Sequence, residues 1–302
     1  MKNLIPIITE LRKLLLKNAM SNKKIKITVE LSKRILCFYA LLNVTGYDPE
    51  KHPAHPIRKQ LRNYLKKVCS EIEIKRLKKI INLENLRREF WFPYRMWILC
   101  HGQPPHFKGL NQYWKNFLGV ETAKKFELAL KNFWRKLFPF WPKIKNSYKE
   151  IKKPCIFNAR TAVKLSLSYL RLKNIGGDIK NFIVIPNFLD EYNRGIGPLI
   201  KNTAYAIIGP SLNNDAFPPQ RIQHEFLHSI INPLVKNVMG TQLTNRELSL
   251  VREYLIHAIV LRTHISDHNY YQKKISQQKK LGFKNIGKIL FLLQIYEKNK
   301  ED

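Results

Sequence analysis

Acidic residues are scarce in this sequence: 22 Asp and Glu stand against 54 Lys and Arg, giving a formal net charge of +32 over 302 residues. Such an excess favours contact with nucleic acid, anionic membranes or acidic ligands. The bases are scattered along the whole length, however, and Lys, Asn and Ile are abundant together, as an AT-rich coding sequence produces. Incidental polyanion affinity is therefore expected ahead of specific nucleic-acid recognition. Cysteine is scarce too. Cys37, Cys69, Cys100 and Cys155 are widely spaced and form no Cys-x-x-Cys pair, which argues against a structural zinc cluster and against a disulfide framework. Three of them lie in apolar or aromatic surroundings, where buried free thiols are ordinary, and a reducing compartment fits. No apolar run approaches the length of a membrane span. The opening stretch, Met1 to Leu16, is interrupted by Pro6, Glu10, Arg12 and Lys13, which makes it a poor export signal. Its Leu4, Ile8, Leu11 and Leu15 are spaced as on an amphipathic helix, a shape suited at most to weak attachment to an anionic surface. Internal repeats and long low-complexity tracts are also missing. A cytoplasmic protein without a transmembrane segment is expected.

What is present is a chain long enough to bury one large core or two smaller ones, with an ordinary hydrophobic content of 44%. Lys24 to Glu30 alternates like a strand, and Leu31 to Leu42 reads as a helix. Ile57 to Glu89 is helical and strongly basic. Phe90 to Pro142 concentrates aromatic residues, among them Trp91, Trp97, Trp114, Phe133, Trp134 and Trp141; they read first as a helical core and second as rings lining a cleft or stacking on bases. The polar, basic stretch Lys143 to Lys153 ends at Pro154 and suggests a boundary between a mainly helical part, 1–153, and a metal-site part, 154–302. Phe157 to Leu172 then reads as a helix stopped by Gly176-Gly177. Phe182 to Leu189 and Thr203 to Gly209 read as strands around a Gly-containing turn. The early strand can join the later sheet and make the two parts one fold. The fold class is α+β, mainly helical.

One stretch stands out: His224-Glu225-Phe226-Leu227-His228, within a tract running from Pro218 to Pro233. Residues four apart share a helix face, so both imidazoles reach one metal ion, and Glu225 beside them can take a proton from a metal-bound water. Pro218 and Pro219 suit a first helical turn. Ile222, Phe226, Ile230 and the neighbouring Leu227 and Ile231 make apolar surface around the pair. The bland account is an ordinary helix with two histidines and a solvated glutamate.

A third ligand has several candidates. Glu247 follows His228 by nineteen residues, but Thr244-Asn-Arg-Glu247 also reads as a capping box opening the next helix. Glu253 sits in an otherwise apolar helix, Leu248 to Leu261, where a carboxylate needs a partner and a metal is a good one. A surface pairing would satisfy it as well. His257, one turn further, can orient Glu253 or steady an oxyanion, a role for which Tyr254 is a second candidate. His264 and His268 are reserve ligands. His52, His55, His101 and His106 lie in proline-containing loops without local sign of a site.

The tract His224-Glu-Phe-Leu-His-Ser-Ile-Ile-Asn-Pro233, followed by Arg252-Glu-Tyr-Leu-Ile-His-Ala-Ile-Val-Leu-Arg262, resembles the bacterial metallopeptidases grouped as domain of unknown function 4932. These are gluzincin-like, with His-Glu-x-x-His-Ser-x-x-Asn-Pro and a later Glu in a helix ending Arg-Ala-Ile. The resemblance runs from about Lys26 to about Thr263. It implies Zn2+ held by His224, His228 and Glu253, with Glu225 as catalytic base. This chain has His257 where the family pattern has Arg, and it lacks the export signal that many such proteins carry.

Two functions follow from these readings. The first is zinc-dependent hydrolysis of a peptide or protein substrate. In zincins the strand just before the metal helix carries the edge that pairs with an extended substrate, here Thr203 to Gly209, with Tyr205 as a cleft residue. The alternative is a non-catalytic basic binding protein on a zincin-like scaffold. Geometry separates them: Glu253 beside both histidines at an open cleft favours the enzyme, whereas lysines and aromatic rings sharing one groove favour the binder.

Overall fold

Three apolar stretches far apart in the chain come together as a sheet. The computed structural model describes residues 24–46, 54–81, 98–99, 102–107, 119–172, 179–212, 216–264 and 268–298. Strand β1 (Lys26–Val29) pairs in parallel with β2 (Asn181–Pro186), Val29 opposite Val184, and β2 pairs in parallel with β5 (Thr203–Ile208), Val184 opposite Ala206. On the far side of β5, the short strands β3 (Gly195–Ile196) and β4 (Leu199–Ile200) run antiparallel to it. Val184, Ala204, Ala206, Ile207 and Ile208 are fully buried, as continuous apolar runs in a covered sheet should be.

The expectation that β5 offers a free edge does not hold, because 195–200 folds back across a tight turn and occupies that edge. Lys201, at a φ of +54°, makes the turn. Tyr205 donates its backbone N–H to Pro198 O at 2.9 Å and packs half-buried against the core. The outer edge nearest the His224–His228 stretch is thus 195–200.

Helices supply the rest: α1 (Lys33–Val44), α2 (Pro56–Val68), α3 (Glu71–Ile81), α4 (Val120–Leu137), α5 (Trp141–Tyr169), α6 (Pro219–Met239), α7 (Asn245–His264), α8 (His268–Lys280) and α9 (Ile286–Lys298). The fold is α+β, mainly helical with a small mixed sheet. Every residue of α1 from Ile35 to Leu42 is fully buried, the mark of a helix enclosed on all sides. Helix α5 runs unbroken through the stretch expected to be a boundary, with Pro154 inside it. Ile144, Tyr148, Ile151, Cys155, Ala159, Ala162 and Ser166 recur at three- and four-residue steps and pack as one stripe. That stripe carries the helix across the single backbone hydrogen bond which a proline forfeits, and the basic residues fill its outer face.

Among the described aromatic residues, Phe133, Trp134 and Trp141 are buried in the core, whereas Phe138 is exposed. His55 caps α2 by accepting from Ile57 N at 3.2 Å, and His106 is exposed. The amphipathic start, His52, Trp91, Trp97, Cys100, His101, Trp114 and Gly176-Gly177 lie outside the described residues. No helix among the described residues is long and apolar enough to cross a membrane.

Helix α6 is shared between two hydrophobic cores. Ile222 and Phe226 join the core around the sheet, with Phe226 at 4.7 Å from Phe182, while Leu227, Ile231, Leu234 and Val235 join a second core with α7 and α9. The remaining third side of α6 carries the histidines.

Candidate functional site

Helix α6 opens with Pro218 as N-cap in an extended conformation and Pro219 as its first residue. One turn in, His224 and His228 project side by side, with ring centroids 5.0 Å apart. Helix α7 crosses them and delivers Glu253 between the two rings. Its Oε2 lies 3.5 Å from His224 Nε2, and its Oε1 lies 3.4 Å from His228 Nε2. His257, one turn along α7, brings its Nε2 to 4.0 Å from the same Oε2, and its ring stands 4.8 Å from that of His224. A single carboxylate thus meets three imidazoles. Single ligand atoms of His224, Glu253 and His257 lie within 4.8 Å of one another, and His228 reaches that carboxylate through its other oxygen.

The site opens to solvent on the α7 side. The Glu253 and His257 side chains are 35% and 25% exposed, against 17% for His224 and 14% for His228. Burial alone would raise the Glu253 carboxyl, but a hydrogen bond to His224 and the charges of the surrounding imidazoles outweigh it and hold the group down at about 2. Burial, followed by the neighbouring His224, pushes the His257 imidazole down to about 3. At neutral pH the cluster presents an ionised carboxylate and a neutral imidazole, the protonation states in which these groups bind divalent metals.

Glu225 points to the other side of the histidine pair and is buried at 4% exposure. Its Oε2 lies 3.9 Å from His228 Nε2 and has no hydrogen-bond partner among the described residues. The β3 edge lies directly over it: a Cβ added at Gly195 would come 2.3 Å from Glu225 Oε1, and one at Gly197 would come 2.1 Å from the Glu225 backbone oxygen. Only residues without a side chain allow so close a crossing. Asn232, four residues after His228 on the same helix face, sets its Oδ1 3.3 Å from His228 Nδ1. An Nδ1–H donated to that oxygen leaves Nε2 with a free lone pair towards Glu253.

The donor set was tested against zinc by distance. Zinc bonds to nitrogen and oxygen of about 2.0–2.2 Å at tetrahedral angles hold neighbouring donors roughly 3.3–3.6 Å apart. The two separations from Glu253 to His224 and His228 fall in that range, each to a different carboxylate oxygen, and the His257 separation exceeds it; the three residues whose single ligand atoms gather within 4.8 Å are His224, Glu253 and His257.

The other candidates stand elsewhere. Glu247 closes a reciprocal capping box at the start of α7: its Oε2 accepts from Thr244 N at 2.9 Å and from Thr244 Oγ1 at 2.7 Å, and its own N–H donates to Thr244 Oγ1. That local bonding keeps its exposed carboxylate away from the imidazoles. Tyr254 turns into the second core, where its hydroxyl accepts from Asn285 N at 3.2 Å and its ring meets Phe283. His264 ends α7 outside the cluster. Gly195, Gly197 and Phe283, whose ring packs 4.4 Å from that of His257, were not singled out by the motif, and Asn232 stood in the pattern without an assigned role. Asn232 could have been found by its four-residue step from His228; Phe283 has no sequence signal. No family model matches the chain, and no curated protein or solved structure matches it.

Proposed function

We propose that this protein is a cytoplasmic zinc-dependent metallopeptidase with a zincin-like, gluzincin-type site: His224, His228 and Glu253 hold the metal and Glu225 is the general base. The observation that carries the reading is the arrival of Glu253, from a separate helix, within 3.4–3.5 Å of both motif histidines at an open face. A bound zinc supplies a Lewis acid for the scissile carbonyl and lowers the pKa of water towards neutrality. The chain's own residues do the rest. Glu225, with one buried oxygen lacking a partner among the described residues, accepts a proton from the attacking water and returns it to the leaving amine. The water oxygen ends on the acyl carbon, one of its protons reaches the leaving nitrogen through Glu225, and the other stays on the new carboxyl group until it ionises, as the C–N bond breaks. His257, neutral beside Glu253, orients that carboxylate or donates to the oxygen that gains charge. An extended peptide can pair with the 195–200 edge that crosses Glu225. Buried free thiols at Cys37, Cys69 and Cys155 suit a reducing compartment.

The alternative, a basic binding protein on the same scaffold, asks for aromatic rings beside lysines in one groove. The groove lined by Phe133, Arg76, Lys125 and Lys136 is where such a binder would act, whereas the meeting of Glu253 with both histidines supports the enzyme. The test is metal analysis with peptide turnover on purified protein. About one zinc per chain is expected, lost in His224→Ala and kept in Glu225→Gln, with hydrolysis abolished in both. A metal-free wild type that still cleaves peptides, or full activity in Glu225→Gln, would overturn the assignment.

A further inference from the structure

Arg221 stands one turn before His224 on α6. At about 100° per residue its azimuth falls between those of His224 and Glu225 and close to that of His228. It therefore belongs to the metal face and to neither core. It is half-buried, and its Nε is buried with no hydrogen-bond partner among the described residues. Glu225 on the same helix and Asp190 from the loop after β2 are within its electrostatic reach, and its own charge is felt at His257 on α7. Asp190 Oδ1 accepts from Glu191 N at 2.8 Å and lies 3.5 Å from Arg194, Glu225 lies under Gly195, and neither acid closes an ion pair with Arg221 among the described residues. A partly desolvated guanidinium without a bound carboxylate is costly to keep, and its planar fork matches a carboxylate with two parallel hydrogen bonds.

We propose that Arg221 is a specificity-determining residue that receives a substrate carboxylate at one end of the metal cleft, either the chain terminus or an acidic side chain. This rests on the peptidase reading for the word substrate, but it is testable apart from turnover.

The zinc-loaded Glu225→Gln protein is titrated with three matched peptide sets: neutral peptides ending in a carboxamide, the same peptides ending in a free carboxylate, and carboxamide peptides with one internal Glu. A charge-assisted pair predicts roughly 10- to 100-fold tighter binding for at least one carboxylate set. Preference for the second set names the chain terminus, and preference for the third names an acidic side chain. Adding Arg221→Gln should bring the ratios close to one with zinc content and Tm held; Arg221→Lys, which keeps charge without the fork, should retain part of the preference and serves if the glutamine variant does not fold. Equal binding of all three sets before Arg221 is changed would overturn the proposal. So would an equal loss on all sets, or loss of zinc, in both Arg221 variants, since that is the behaviour of a residue that only supports the fold of the site. Absent turnover in the wild type alongside intact carboxylate preference would sink the peptidase reading and leave this one standing.

Discussion

Replacing Gly195 by alanine tests whether the position of Glu225 matters to chemistry separately from metal binding. The new methyl would lie 2.3 Å from Glu225 Oε1, and ordinary contact begins near 3.4 Å, so the carboxylate must move by about 1.1 Å. The crowded atoms (Cδ at 2.8 Å and Cγ at 3.1 Å besides Oε1) all belong to the side chain, so it must leave its rotamer and the fold should lose on the order of 0.5–1.5 kcal/mol. A misplacement of about 1 Å in a reacting group costs roughly 100-fold in rate. The expected result is therefore a near-normal Tm and a full zinc content with kcat down about 100-fold. Gly197→Ala is the contrasting control. Its methyl would meet the Glu225 backbone oxygen at 2.1 Å, which a helix held by two cores cannot withdraw. It should cost about 1–3 kcal/mol of stability instead, as overpacking does. Zinc by mass spectrometry, thermal unfolding and single-turnover cleavage separate these outcomes. Wild-type kcat in Gly195→Ala, with the metal bound, would refute Glu225 as proton acceptor.

Three further outcomes follow from the same geometry. His228→Ala should empty the site, whereas His257→Gln should keep zinc with affinity reduced roughly 10- to 100-fold, the usual scale for an orienting partner; metal loss only in the His257 variant would instead assign His224, Glu253 and His257 as ligands. In metal-free protein, Tm should fall as pH drops. The folded state keeps His257 unprotonated down to about 3 while the unfolded chain takes up that proton from 6.5 downwards, and Glu253, held at about 2, loses its contribution as pH falls below 4.5; His257→Gln should flatten the upper part of this curve, and an unchanged curve would remove the buried-imidazole argument. Phe226→Ala, which deletes a fully buried ring against Phe182, should cost about 3–5 kcal/mol in chemical denaturation.

The sequence made the helical motif readable because its information is local: proline at the first turn, histidines at a four-residue step, apolar neighbours between. The Thr244–Glu247 capping box was equally local, and its hydrogen bonds formed as its residue types dictate. The meeting of Glu253 with both histidines was legible from the residues as a carboxylate in want of a partner, and from the resemblance as its third ligand. The boundary suggested at Pro154 falls inside a helix, because a long apolar stripe outweighs one lost hydrogen bond. The edge given to β5 was wrong because antiparallel pairing by the two-residue strands β3 and β4 depends on a turn at Lys201, not on any alternation in their own sequence. The approach of Gly195 to Glu225 and of Phe283 to His257 are long-range packing events, and no local pattern encodes them.

Sharing α6 between two interiors has a consequence for how the ion and the polypeptide depend on each other. In small zinc modules the cation organises its own cage, so extracting it melts the domain. Here each imidazole rides on a rod clamped by Ile222 and Phe226 on one flank and by Leu227, Ile231 and Val235 on the other. If the site holds zinc as proposed, the cage is ready before the cation arrives, and little ordering cost is deducted from affinity. Treatment with a strong chelator should silence the protein yet leave its circular dichroism spectrum intact, and adding zinc back should restore it within mixing time.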